Sequence, residues 1–265
     1  MEQNSAWTIW YSLKEMVEEM DGSAKKVKLV RQKWDSDFFG FPVWTLIADH
    51  ADFSIVEVLG CLQDFQRFQP GGTCYVFLSK EIHGALCSEL TRMGAAHFGS
   101  RVEFCADVDA LRCDTVYDVM PINEITDEVR NLAVGSGMQS RFARDVRFSK
   151  MCRGMYIRWI ENCFTAADNG DGEVLGVYDK GVLAGLMAVT VTGGVYKIEL
   201  LSVSAAYRRQ GIGKRLVRCA FSHACAKKCH KIVVVTQGEN LAGCSLYQAC
   251  GFKECKRSEI WHLTI

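Results

Sequence analysis

The sequence predicts an α/β protein built in two units, and three observations carry that expectation. Strand-like and helix-like segments alternate from Val27 onward, as layered α/β structures require. The 265 residues, 49% of them hydrophobic, suffice for two domains or for one domain with an elaborated partner. Between Tyr196 and Lys214, a β-branched and leucine-rich run passes through an Arg/Gln/Gly turn into the amphipathic pattern Leu216, Val217, Ala220, Phe221, Ala224. A strand enters a helix there through a tight glycine loop.

In chain order, residues 6–20 place Ile9, Leu13, Met16, Val17 and Met20 on one face of a helix that Asp21-Gly22 ends. With Trp7 and Trp10 it either caps its own domain or serves as a homodimer contact. Strands follow near Val27 to Val30 and Val43 to Ala48, a helix from Ile55 to Phe68, a strand from Thr73 to Leu78, a helix around Ala85 to Met93 and a strand from Val102 to Val108. Gln69-Pro70-Gly71-Gly72 breaks helix from strand. This first unit ends near Asp109 to Asp114 and lacks a phosphate loop, so its expected work is structural and substrate-shaping. Within it, Trp34 to Gly40 reads as an aromatic-rich loop.

The second unit opens with a strand from Val116 to Ile122 and a helix capped by Asn123 that runs to about Val134. Ser140 to Asp145 reads as a polar loop and Met155 to Phe164 as a further helix. Strands at Glu173 to Tyr178 and Val182 to Val191 are joined by the hairpin turn Asp179-Lys180-Gly181. After the central stretch come a buried strand at Ile232 to Thr236, a short helix at Asn240 to Ala249 and a closing strand at Phe252 to Leu263.

Lysine plus arginine equals aspartate plus glutamate, so no global field attracts nucleic acid or an anionic membrane. No apolar run is long enough to span a bilayer and no cleavable leader opens the chain, which predicts a soluble, cytoplasmic protein. The thirteen cysteines are scattered without a Cys-x-x-Cys, and a core of this size needs no disulfide staples. A zinc site among Cys219, His223, Cys225, Cys229 and His230 is disfavoured, because the two i, i+4 pairs face different directions.

The chemistry centres on the turn after the core strand. The first amides of a helix point outward with partial positive charge, Gly211 and Gly213 carry no Cβ to block an anion, and Arg208, Arg209 and Lys214 add full charges, with Gln210 and Ile212 completing the turn. The site suits a diphosphate. A P-loop would need Gly-x-x-x-x-Gly-Lys-Ser/Thr and a dinucleotide fold a third glycine, and neither is present. The spacing Arg208-x-x-Gly211-x-Gly213 after a strand resembles the acetyl-CoA signature of the GCN5-related N-acetyltransferases (GNAT). That resemblance implies a mixed, mainly antiparallel central sheet with splayed strands and flanking helices, preceded here by a smaller partial GNAT-like domain. It also implies acetyl-CoA as cosubstrate without a metal, its pantetheine arm pairing with backbone groups such as those of Leu201 and Val203.

Transfer of an acetyl group to an amine needs a bound thioester, an unprotonated nitrogen and a proton for the departing thiolate. Tyr247, on the helix after the second splayed strand, is the expected general acid, against the reading of an amphipathic tyrosine packed on the sheet. Asn240 is a helix cap and a candidate partner for the cofactor arm. Glu199, an acid inside an apolar strand, is either the general base or one half of an ion pair. Strict alternation sets it opposite Leu200, together with Lys197 and Val203.

Further segments, Trp34 to Gly40, Ser140-Arg141-Phe142, Tyr156 to Asn162, Thr236 to Asn240 and Ser245 to Phe252, resemble the bacterial dTDP-fucosamine acetyltransferases. Those enzymes acetylate the 4-amino group of dTDP-4-amino-4,6-dideoxygalactose. The resemblance implies that Trp34, Phe38, Phe39, Arg141, Phe142 and Trp159 line the side of a nucleotide-linked amino sugar, and that the tyrosine at 247 is the acid. It divides the chain into an N-terminal helix (1–24), a partial GNAT-like domain (25–113) and a catalytic domain (114–265). The sequence departs from that group in having Gly99 and Ser100 where an acid is expected, with an acid only at Glu103, and in carrying Glu199. The competing expectations are another small amine, such as an aminoglycoside or polyamine, or a non-catalytic acyl-CoA-binding module.

Overall fold

The computed structural model describes residues 27–48, 54–110 and 118–265, so the helix expected over residues 6–20 lies outside the described residues. The chain forms two compact units, one running to Gly99 and taking back Ser258–Ile265, the other spanning Ser100–Arg257. The units therefore divide at Gly99, whereas the sequence places the change near residue 113.

The first unit contains β1 (Val27–Arg31), α1 (Lys33–Phe39), β2 (Val43–Ala48), α2 (Ile55–Phe68), β3 (Thr73–Leu78), α3 (Lys80–Arg92), the start of β4 (Ala96–Asp107) and the end of β10 (Lys253–Thr264). β1 pairs antiparallel with β2, β2 parallel with β3, and β3 antiparallel with β10. Ser54 and Glu57 cap α2 reciprocally, each side chain accepting from the other's backbone N–H, which fixes where the helix starts. Val58, Leu62 and Phe65 of α2 and Leu86 and Leu90 of α3 then share a core with Val76 and Leu263.

The Trp34 to Gly40 segment is α1, not a loop. Trp34 and Phe38 stand one turn apart with rings stacked at 5.1 Å, a helical i, i+4 contact, and Gly40 ends the helix at φ 75°. Aromatic crowding that looks irregular along the sequence is regular on a helix surface.

The second unit adds β5 (Met120–Pro121), α4 (Asp127–Ser136), α5 (Arg141–Arg144), α6 (Val146–Asp168), β6 (Gly172–Asp179), β7 (Val182–Thr192), β8 (Val195–Val203), α7 (Ile212–Ala226), β9 (Lys231–Gln237) and α8 (Leu241–Ala249). Its strands lie in the order β4-β9-β8-β7-β6-β5, and among these described strands only β8 and β9 run parallel. The sheet is mixed and mainly antiparallel, as expected. On one face, Leu216, Val217 and Phe221 of α7 and Tyr247 of α8 pack with Phe104, Met187, Tyr196 and Ile232; α4 and α6 pack on the other.

Three local expectations are corrected. Thr126, not Asn123, caps α4 by accepting from Val129 N at 3.3 Å. The stretch after Ser140 is the short helix α5 rather than a polar loop, with Ser140 Oγ accepting from Ala143 N. α6 has 23 residues and begins at Val146, because Asp145 caps it and Phe148 and Cys152 extend the buried face of Met155 and Trp159.

The cysteines also depart from expectation. Cys105 on β4 and Cys255 on β10, 150 positions apart, are bonded to each other, their Cα atoms 6.0 Å apart. Spacing along the chain carries no trace of strands that lie side by side. His223 of the disfavoured zinc group belongs instead to a polar network: Tyr196 Oη donates to Glu173 Oε2 at 2.7 Å, and His223 Nδ1 and Lys227 Nζ lie 3.0 and 3.5 Å from the same carboxylate. Hydrogen bonding to Cys219 and then to Glu173 raises the His223 pKa to about 10. A base with a raised pKa stabilises the fold fully below its unfolded value and loses that contribution as pH rises through the folded value. His223→Gln is therefore expected to lower unfolding free energy at pH 7 by about 1.5–3 kcal/mol, the worth of a charged hydrogen bond. In denaturant titrations, the gap from wild type should close above pH 10.

Candidate active site

β8 and β9 pair only from Val195↔Lys231 to Ile198↔Val234; beyond those residues the two strands part. The cause lies in β8. Its register with β7 steps from Val189↔Ile198 to Ala188↔Leu200, leaving Glu199 as the extra residue of a β-bulge. A bulge bends its strand and sharpens the local twist, and this one falls immediately after the last β8–β9 pair. The result is a V-shaped gap lined by the backbone of Glu199–Val203 and Val235–Gln237.

The bulge also corrects the alternation. Leu201 and Val203 pack with the same core as Tyr196 and Ile198, on the α7/α8 face. Lys197 and Glu199 lie on the opposite face, so Val203 does not share their side as strict alternation implies. Glu199 accepts from Thr190 Oγ1 at 2.8 Å and pairs with Lys197 Nζ at 3.1 Å, with its side chain 9% exposed. The ion-pair reading is thus realised, on the side of the sheet away from Tyr247.

After β8 the chain makes a short 3₁₀ turn at Ala205–Tyr207 and reaches α7 through Arg208, Arg209, Gln210 and Gly211. Arg209 (φ 61°) and Gly211 (φ 80°) both adopt the left-handed conformation, which folds the turn back on itself. Arg208 Nε donates to Val203 O and Gln210 Nε2 to Ala206 O, tying the turn to the end of the strand. Arg215 N closes the first helical bond onto Gly211 O. The amides of Ile212, Gly213 and Lys214 therefore form the open N-terminus of a 15-residue helix. Ile212 itself is buried in the core and anchors that helix end, while Arg208, Arg209, Gln210, Gly211 and Lys214 are exposed. A Cβ on Gly211 would meet no protein atom within 4 Å, and one on Gly213 would press on Leu246 at 3.1 Å. The cradle fits a phosphate.

Tyr247 follows β9 by one turn and a helix start. Its ring lies 5.8 Å from Phe104 and 5.9 Å from Phe252, and the residue is 6% exposed. Burial first, then the neighbouring Cys244 and Cys250, push its pKa well above the ordinary phenol value, which keeps the proton on the oxygen. Asn240 caps α8, accepting from Gly243 N at 3.1 Å and donating to Thr236 Oγ1 at 3.0 Å.

This geometry has counterparts. Residues 142–252 match the Acetyltransferase (GNAT) family model. A functionally unknown conserved protein from Staphylococcus epidermidis superposes with a TM-score of 0.64 at 11% identity, covering 96% of this chain and 98% of that one. A GCN5-related N-acetyltransferase from Sphaerobacter thermophilus gives a TM-score of 0.61 at 13% identity over 89% and 76% of the two chains. The second unit has the GNAT fold. Yeast (Saccharomyces cerevisiae) N-alpha-acetyltransferase 30 is 36% identical over 66 residues, 25% of this chain. The chain spans 38% of the length of the curated relatives it matches.

Within the GNAT unit, the residues expected on the substrate side occupy unequal positions. Phe142 is fully enclosed and packs edge-on against Phe148, and Trp159 is buried with its ring stacked on Tyr156, so both serve the packing under the site. Arg141 is 2% exposed with its guanidinium 4.4 Å above the Phe142 ring. In the first unit, Phe39 is buried, whereas Trp34 and Phe38 remain half-buried.

The structure adds residues that the sequence did not single out. Arg101 pairs in register with Gln237 at the open end of β9, and its guanidinium lies 3.4 Å from Glu103. Burial chiefly, and the charge of Arg141 secondarily, lower its pKa despite Glu103; burial and Arg101 likewise lower that of Lys256. Glu239, which follows β9, accepts from Ser100 N at 3.0 Å and lies 3.9 Å from Arg144. Four basic side chains, Arg101, Arg141, Arg144 and Lys256, thus gather around the strand end that borders the gap. A strand arginine next to a glutamate is unremarkable until the register brings α5 beside it.

Proposed function

We propose that this protein is an acetyl-CoA-dependent N-acetyltransferase whose acceptor is a small amine carrying an anionic group, with a nucleotide-linked amino-deoxy sugar as the leading substrate class. The observation that carries the reading is the gap between β8 and β9, opened by the Glu199 bulge and ending at a turn built for a phosphate. The amides at the start of α7, with Arg208, Arg209 and Lys214, hold the diphosphate, and the backbone of Leu201 and Val203 pairs with the pantetheine amides. Acetyl-CoA supplies the acyl group as an activated thioester.

The remaining steps belong to side chains on opposite faces of the sheet. An amine must approach the carbonyl from the side away from the leaving sulfur, and Glu199 lies on the face opposite Tyr247. Glu199, directly or through water, takes the proton lost by the attacking nitrogen, while Tyr247 gives its phenolic proton to the departing sulfur and recovers it from solvent. The basic group of Arg101, Arg141, Arg144 and Lys256 supports an anionic acceptor over a polycation, because an added negative charge relieves the crowding of positive ones. The likeness to an N-alpha-acetyltransferase favours a second reading, a peptide α-amine.

Mass spectrometry of acetyl-CoA reactions with dTDP-4-amino-dideoxyhexoses, an aminoglycoside, spermidine and an N-terminal peptide separates these readings. The expected result is acetylation of the nucleotide sugar, with KM for it raised roughly tenfold or more in Arg101→Gln. Product from the peptide or spermidine alone overturns the sugar assignment. Acetyl-CoA binding without product from any amine points to a non-catalytic module.

A further inference from the structure

In the first unit, His83 of α3, His97 of β4 and Glu259 of β10 bring their ligating atoms to within 4.8 Å of one another. His97 Nε2 lies 2.8 Å from Glu259 Oε2, and the two imidazole rings stack with centroids 5.3 Å apart and planes 28° from parallel. Trp261 packs against both rings, at 5.0 Å from His97 and 5.7 Å from His83, and is itself buried, while His97 stays open to solvent. A single carboxylate would satisfy one histidine, and it leaves unexplained why the second imidazole faces the same point. We propose that these three side chains form a site for a borderline divalent transition-metal ion such as Zn²⁺.

The ligand chemistry selects the ion. Two imidazoles and one carboxylate suit Zn²⁺, Co²⁺ or Ni²⁺, whereas Ca²⁺ and Mg²⁺ require mostly oxygen donors. Tetrahedral zinc with bonds of about 2.0–2.1 Å needs ligand atoms roughly 3.3 Å apart, and these three lie within 4.8 Å of one another. Three protein ligands leave a fourth position for water. Three elements are fixed together by the ion, including β10, which returns to this unit from 162 positions beyond His97. The site thus ties the end of the chain to the first unit, independently of the acetyl-transfer chemistry.

Titration of the full-length protein with Co²⁺, followed by absorption, tests this against binding by the cysteines. One Co²⁺ per chain is expected, with visible ligand-field bands and without the intense near-ultraviolet band of thiolate ligation. Zn²⁺ should displace it and raise the unfolding temperature. His83→Ala, His97→Ala and the near-isosteric Glu259→Gln should each weaken binding at least about tenfold, the loss that even an outer-shell partner of a metal ligand brings. Equal affinity in wild type and all three variants, a thiolate band, or no saturable binding overturns the proposal. Glu259→Gln keeps the test decisive if either alanine variant unfolds.

Discussion

Replacing Tyr247 with phenylalanine is expected to lower kcat by roughly 10²-fold or more while leaving KM for acetyl-CoA nearly unchanged. The ring contacts with Phe104 and Phe252 survive the change, so the packing that sets α8 on the sheet stays in place. What disappears is the one proton the phenol can deliver to a thiolate. Steady-state kinetics on the acetylated product check the split between kcat and KM. A variant with full activity would return Tyr247 to a packing role and send the search for the acid elsewhere.

The second large effect belongs to Gly211. Aspartate tolerates its left-handed backbone better than most residues, and the side chain would project where no protein atom lies within 4 Å. A carboxylate near the start of α7 favours the fold by about 0.3–1 kcal/mol through the helix dipole. The same carboxylate would occupy and repel the place of a diphosphate. Gly211→Asp is therefore expected to raise KM for acetyl-CoA by about 10–100-fold while the unfolding midpoint falls only slightly, the dipole gain offsetting part of the roughly 1–2 kcal/mol that a side chain costs at φ 80°. A large KM effect beside a small change in midpoint distinguishes a damaged anion site from a damaged fold; an unchanged KM would place the cofactor elsewhere.

The sequence made the strand-loop-helix at Tyr196–Lys214 legible because everything that defines it is local: apolar alternation, a glycine turn and a helical stripe. The strands from β1 to β3 and from β6 to β9 were readable for the same reason. Helix α5 was missed because four residues carry no period, and α1 because its aromatic stack exists only once the helix winds. The bulge at Glu199 was invisible, since the exposure pattern along β8 keeps alternating while the faces exchange. Arg101 with Arg141, Cys105 with Cys255, and His83 with His97 and Glu259 are meetings of distant segments. Each member is ordinary in its own neighbourhood, so local pattern has nothing to signal.

The bulge in β8 makes the gap a matter of counting. Removing Glu199 would let β8 continue its register with β7 without a bulge, Ile198 staying opposite Val189 and Leu200 opposite Ala188, so Leu201 and Val203 would keep their places in the core. What the strand would lose is the bend that parts it from β9. A deletion elsewhere on the surface, for instance in the Asp179–Gly181 turn, shortens a loop. The same deletion here would close a cleft while leaving the core residues in place. Length at this point of the chain is as much a determinant of the cleft as the identity of any side chain that lines it.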